Sequence, residues 1–109
     1  MKNTRRFQRY TINLEAQYQL EKGKEGWKEC TITTLARGGV GITIQPFEEI
    51  RVDSVLLLEI FFREGLKPVN VKGIVRWIKG QESYFIIGIE VTSKSDQDKL
   101  ANLIELLLG

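Results

Sequence analysis

The sequence contains no histidine and only one cysteine, and both scarcities remove chemistry. Without an imidazole there is no Ser–His or Cys–His nucleophilic pair and no His-ligated metal, and the commonest general base near neutral pH is missing. Catalysis would fall to carboxylates. These lie mostly at outward strand positions, in the connection at Glu48 and Glu49, or at the start of the last helix, where solvated charge is the default. We therefore assign no catalytic residue and no metal ligand, and expect a protein that is not an enzyme. Cys30 has no partner for an intramolecular disulfide, and its place in an alternating run reads as a small buried apolar side chain. No segment approaches the roughly 18 apolar residues that a membrane-spanning helix needs, and no apolar run follows the basic N-terminus, so the expected location is the cytoplasm.

Charge of one sign is also scarce. Sixteen Lys plus Arg against fourteen Asp plus Glu give a formal charge of +2, too even for coating DNA or RNA by charge alone. Any anion site must be local, and Lys2, Arg5, Arg6 and Arg9 form the one concentrated basic region, with no acid among them. Pro-rich and Gly/Ser-rich linkers, internal repeats and low-complexity stretches are absent, so residues 1–109 read as one domain.

From Tyr10 to Glu21 polar and apolar residues alternate, with Tyr10, Ile12, Leu14, Ala16, Tyr18 and Leu20 on one face, the pattern of a half-buried strand. Gly23 and Gly26 turn the chain into a second strand from about Trp27 to Thr34, and Val40, Ile42 and Ile44 mark a third, closed by Pro46. Val55 to Phe62 is apolar at nearly every position, a strand buried on much of both faces whose outer side needs cover. Pro68 opens a fifth strand through Val69, Val71, Val75 and Trp77, with Trp77 read as core in preference to a ring at the strand end flanking a ligand, and Lys79 to Gln81 turn it into a sixth from Tyr84 to Val91. The period then changes. Leu100, Leu103, Ile104 and Leu107 form one helical stripe, suited to cover the barrel mouth or the two-sided apolar strand, with Ser95 and Asp98 as a capping box and Gly109 as the stop. Leu106 and Leu108 fall off the stripe, to be exposed or to pack on a second chain. The expected fold is all-β: a six-stranded antiparallel barrel over residues 10–92, a flexible basic arm over 1–9 and a C-terminal helix over 95–108.

Two segments resist a purely structural explanation. In Arg5-Arg6-Phe7-Gln8-Arg9 three guanidiniums repel one another, which fits either a solvated basic terminus or an arm aimed at one anion, each fork engaging phosphate oxygens or the O6/N7 edge of guanine. In Thr34-Leu35-Ala36-Arg37-Gly38-Gly39-Val40-Gly41 three glycines stand between two strands, as a sharp barrel corner, a ligand cradle, or both.

Together these segments resemble the PilZ family, whose signature is Arg-x-x-x-Arg before the first strand and (Asp/Asn)-x-Ser-x-x-Gly after the second. Arg5 and Arg9 match the first motif, with Arg6 as the additional arginine; the second falls on Thr34, Ala36 and Gly39, of which the glycine alone matches strictly. Val75-Arg76-Trp77, Gly88-Ile89 and the closing helix extend the likeness over nearly the whole chain. The resemblance implies binding of the bacterial second messenger cyclic di-GMP, with Arg5, Arg6 and Arg9 wrapping over phosphates and guanine edges and Thr34, Ala36 and Gly39 holding a base on the barrel. It implies no cofactor. A partner protein would read the ligand-ordered arm, and the helix offers a homodimer surface. Thr34 provides only a hydroxyl where the family has a carboxylate or amide, and Ala36 cannot hydrogen-bond through its side chain. Two rival readings stand beside this one: a degenerate PilZ-like adaptor that binds protein alone, and a small barrel binding single-stranded nucleic acid through its basic arm and aromatics.

Overall fold

The structure, a computed structural model, describes residues 8–23, 25–45 and 50–108. Arg5, Arg6, Pro46, Glu48, Glu49 and Gly109 lie outside the described residues. Six strands and one helix form among those described: β1 (Tyr10–Leu20), β2 (Lys28–Ala36), β3 (Gly39–Ile44), β4 (Val55–Phe61), β5 (Val69–Gly80), β6 (Phe85–Glu90) and α1 (Lys94–Leu108). Every strand pairing is antiparallel, and the order β1-β2-β3-β6-β5-β4 closes on itself as a barrel. The architecture is thus two three-strand meanders, β1-β2-β3 and β4-β5-β6, joined along two seams, β1 with β4 and β3 with β6. Closure leaves no open sheet edge over the paired stretches, which removes the hazard that an exposed edge presents.

The barrel interior is filled by the inward members of each alternating strand. Ile32, Ile42, Leu56, Ile60, Val75 and Ile87 are wholly buried, with Leu35 and Leu58 beside them, as expected where branched side chains pack from all sides of a small closed sheet. Cys30 joins this core, and burial pushes its thiol up from 9.0 to about 12.

Alternation is interrupted by three register shifts, in β1 between Thr11 and Leu14, in β2 between Ile32 and Thr34, and in β5 between Val75 and Trp77. The shift in β5 corrects the expectation for Trp77. Val75 opposes Ile89 and Trp77 opposes Gly88, so Arg76 is an extra residue on β5 and the phase of the strand changes there. Val75 points into the core, Arg76 and Trp77 both point outward, and Ile78 turns back in. Strand β2 also runs two residues past the expected end, so Thr34 and Ala36 lie in β2, Gly39 and Gly41 lie in β3, and the intervening loop shrinks to Arg37 and Gly38.

Helix α1 begins one residue earlier than its pattern suggested, and its cap is Ser93 rather than Ser95. The Asp96 amide donates to Ser93 Oγ at 3.0 Å and the Gln97 amide to the Ser93 carbonyl at 2.9 Å, the arrangement of an N-cap residue three positions before a helix acid. Asp98, expected in the capping box, is held instead by Arg37 at 2.6 Å and Lys94 at 3.5 Å. Asp96 accepts the Lys72 amide at 3.0 Å, and Lys99 donates to the Asn70 carbonyl at 2.9 Å. These contacts seat the helix start on the stretch of β5 that lies before its pairing with β6 begins at Ile74. Leu100 and Leu103 are buried, and α1 packs chiefly on β5 and β2, closing the barrel mouth. The outer side of β4 therefore lacks the helix as its main cover. Leu57 and Glu59 are half-buried between the neighbouring strands, with Gln17 donating to the Glu59 carboxylate, and Phe61 stays exposed. Leu106 and Leu108 are exposed, as their positions off the stripe implied.

Two outcomes test this packing. Ser93→Ala should destabilise the fold by about 1 kcal/mol, read as a lower denaturation midpoint, because one orphan amide of the helix start loses its acceptor. A thiol-reactive disulfide reagent at pH 8 should leave Cys30 untouched in the native protein and modify it once denaturant is added. The unfolded thiol deprotonates near 9.0 and the folded one near 12. The stability linked to this group is therefore complete below pH 9 and declines as the pH rises toward 12.

Candidate functional site

The two seams of the barrel are not equivalent. At the β3–β6 seam the outward positions directly opposite each other are Gly41 and Gly88, and the row continues to Thr34 on β2 and Trp77 on β5. Four adjacent strands thus present Thr34, Gly41, Gly88 and Trp77 side by side: two glycines as a floor, with a hydroxyl on one flank and an indole on the other. The flanking side chains lean inward over that floor. A Cβ on Gly41 would lie 2.2 Å from Thr34 Oγ1, and one on Gly88 would lie 2.2 Å from both Cε2 and Nε1 of Trp77. Glycine is required at both by this close approach, since any side chain would displace the indole or the hydroxyl.

The next row toward the helix contains Ala36, Gly39 and Glu90 in register. A Cβ on Gly39 would meet the Ile89 carbonyl oxygen at 2.8 Å, a backbone atom that cannot swing aside. Neither Gly39 nor Gly41 has a positive φ. The glycines serve close packing here, and the backbone is the extended one of a strand.

A groove of about 560 Å³ lies over these rows, and Arg9, Thr34, Ala36, Gly39, Arg76, Trp77, Glu90 and Gln97 contribute to its lining. That volume falls within the roughly 300–1,000 Å³ of small-molecule sites. Arg9 reaches it because Tyr10 pairs with Leu35, which brings the residue before β1 alongside the end of β2. Trp77 is 46% exposed, with its indole available to a planar group. Arg76 is fixed from both sides: Nε donates to Glu90 Oε1 at 2.6 Å and an Nη donates to Asp53 Oδ1 at 3.3 Å. The hydrogen bond to Glu90, with the charges of Glu90 and Asp53, raises the Arg76 guanidinium above its ordinary range. Asp53 takes a φ of 77°, in the left-handed region that aspartate tolerates better than most residues. Its amide is anchored on the Val75 carbonyl at 2.7 Å.

Of the residues singled out in the sequence, Arg9, Thr34, Ala36 and Gly39 share this groove, while Arg5 and Arg6 lie outside the described residues. Sequence reasoning assigned no site role to Arg76, Glu90 or Gly88, counted Gly41 only among the three glycines of the corner or cradle, and favoured the core for Trp77 over a ring beside a ligand. The signal for Gly41 and Gly88 was available as glycine within otherwise β-branched strands, a mark of close approach. Nothing in local sequence announced the bulge at Arg76. Among the described residues no cluster of three or more His, Cys, Asp or Glu side chains forms that could hold a metal, and no helix is long and apolar enough to cross a membrane.

Comparison with known structures places this geometry. The chain superposes on the Escherichia coli YcgR PilZ domain with cyclic di-GMP at a TM-score of 0.77 and 14% identity, covering 96% of this chain and 92% of that one. It matches the Bacillus subtilis inhibitor of motility MotI/DgrA at 0.75 and 18% identity, and the K. pneumonia MrkH–c-di-GMP complex at 0.73 and 16%. In each of these two, 98% of this chain is covered but only about half of the other, 53% and 54%. No curated protein matches in sequence. The sequence model of the PilZ domain matches residues 3–109. With that match spanning almost the whole chain and the barrel and helix agreeing, the protein belongs to the PilZ domain family.

Proposed function

We propose that the domain is a non-catalytic receptor for cyclic di-GMP, binding it in the groove over the β3–β6 seam. The observation that carries this reading is the meeting of Arg9 with Thr34, Ala36 and Gly39 in one groove beside an exposed indole. Cyclic di-GMP has two anionic phosphates and two large aromatic bases, so it needs cations and flat apolar surface together. Guanidinium groups pair with phosphate oxygens and also stack on purines. The glycine floor lets the Trp77 ring lie flat against the sheet, and its exposed face is open to a base in the manner of stacking platforms for nucleobases. Two proteins that share this fold, the YcgR PilZ domain and MrkH, have structures with cyclic di-GMP, which supports the same ligand here.

In this reading Arg5, Arg6 and Arg9 close over the ligand, and the covered surface is what a partner protein recognises. Exposed Leu106 and Leu108 at the end of α1 offer an apolar contact for that partner or for a second copy of the chain. A second reading, a protein-docking adaptor without the ligand, is favoured by one observation: Ala36 lines the groove with no hydrogen-bonding side chain, and Thr34 supplies only a hydroxyl.

Isothermal titration separates the two readings. The first predicts saturable heat with cyclic di-GMP at micromolar concentrations, and no heat at tens of micromolar ligand would leave the adaptor. Arg9→Ala should weaken binding about 10- to 150-fold, the loss expected for a hydrogen bond to a charged group. Trp77→Ala should weaken it by about 1–3 kcal/mol if the indole stacks on a base, with little effect on the denaturation midpoint because the ring is outside the core.

A further inference from the structure

We propose that Glu90 reads the Watson–Crick edge of a guanine in the groove, supplying the charged two-oxygen acceptor that neither Thr34 nor Ala36 provides. The inference rests on the cyclic di-GMP reading above and adds to it a residue that decides which base is accepted.

Glu90 sits at the end of β6, in register with Gly39 on one side and Ile74 on the other. It therefore borders the backbone of the one position of the second motif that this chain keeps unchanged. Among the described residues it is the single carboxylate lining the groove. Its side chain is about half exposed, so it is open to a ligand. One oxygen, Oε1, is occupied by Arg76 Nε at 2.6 Å; Oε2 has no hydrogen bond among the described residues. Arg76 is itself held by Asp53. The carboxylate is thus oriented by one bond and left with a spare acceptor.

A carboxylate facing a dianionic ligand would repel its phosphates, so its place in the groove calls for a part of the ligand that donates. Guanine offers one: N1–H and the exocyclic amine form two adjacent donors on a single edge, matched to acceptor-only oxygens. Adenine presents an unprotonated N1 at the same place, and its lone pair would face the carboxylate. The Arg76 charge beside Glu90 lowers the repulsion toward the phosphates without occupying Oε2. The other polar side chains at hand are less suited. Thr34 Oγ1 lies over Gly41, and the Gln97 amide nitrogen donates to the Val91 carbonyl at 2.9 Å.

The test compares cyclic di-GMP with cyclic di-AMP on the full chain, by titration of the wild type, Glu90→Gln and Glu90→Ala, with melting curves confirming that each variant folds. Phosphate contacts are common to both ligands and cancel in the ratio of affinities, as does any release of Arg76. The expected result is a wild-type preference for cyclic di-GMP that falls about 10-fold or more in Glu90→Ala, through weaker cyclic di-GMP binding with cyclic di-AMP unchanged or improved. Glu90→Gln, which keeps one acceptor, should fall in between. A wild type that prefers cyclic di-GMP and a Glu90→Ala variant with the same ratio would overturn the role of Glu90 and leave the receptor reading standing. A wild type that binds neither dinucleotide would overturn the receptor reading itself, and the role of Glu90 with it.

Discussion

The pairing of β3 with β6 is the contact on which the rest of the molecule depends. It joins strands 41 to 51 positions apart in sequence, Ile44 with Phe85 and Gly39 with Glu90, and with the β1–β4 seam it turns two three-strand meanders into a closed barrel. Such long-range closure carries an entropic cost that neither meander recovers alone. The compensation is burial: Ile42 and Ile87 meet across this seam, and both are fully removed from water. Once the inward positions are committed to the core, the register determines what faces outward, and a glycine falls opposite a glycine at the centre of the seam.

The groove is a consequence of that register. A sheet normally covers each outer position with its own side chain, and here two opposed glycines leave room for the Thr34 hydroxyl and the Trp77 ring to lie down over the backbone. The bulge at Arg76 completes the arrangement by placing two consecutive residues of β5 on the same face, one cationic and one aromatic. A regular strand would have sent one of them into the barrel. Charge and a flat apolar surface stand side by side because of one inserted residue, and the ion pairs from Arg76 to Glu90 and Asp53 hold the cation against the sheet.

The groove and the helix are also tied together. Arg37, in the two-residue turn between β2 and β3, bonds Asp98 of α1 at 2.6 Å, and the Gly38 carbonyl of the same turn accepts the Val91 amide at 2.9 Å. Gln97 of α1 lines the groove and bonds back to Val91. The turn that carries the second family motif is therefore braced by the helix, which in turn plugs the barrel mouth with Leu100 and Leu103.

The alternation of Tyr10 to Leu20, the period change at Leu100 to Leu107 and the two arginine and glycine segments were sufficient to read six strands, a closing helix and the family, because side-chain period is a local property that burial imposes residue by residue. Which strands far apart in sequence become partners, and where an extra residue shifts the phase, are decided by closure of the whole barrel. That is why Trp77 reads as core from its spacing and stands outside in the fold, and why Ser93 rather than Ser95 caps α1: the helix start is set by its seat on Lys72 and Asn70 of β5. The chain by itself determined the elements and the two segments that carry the family's motifs. The tertiary structure alone brought Arg9, Gly39, Gly88, Trp77 and Glu90 to one face, since their proximity is a property of strand register across the seam.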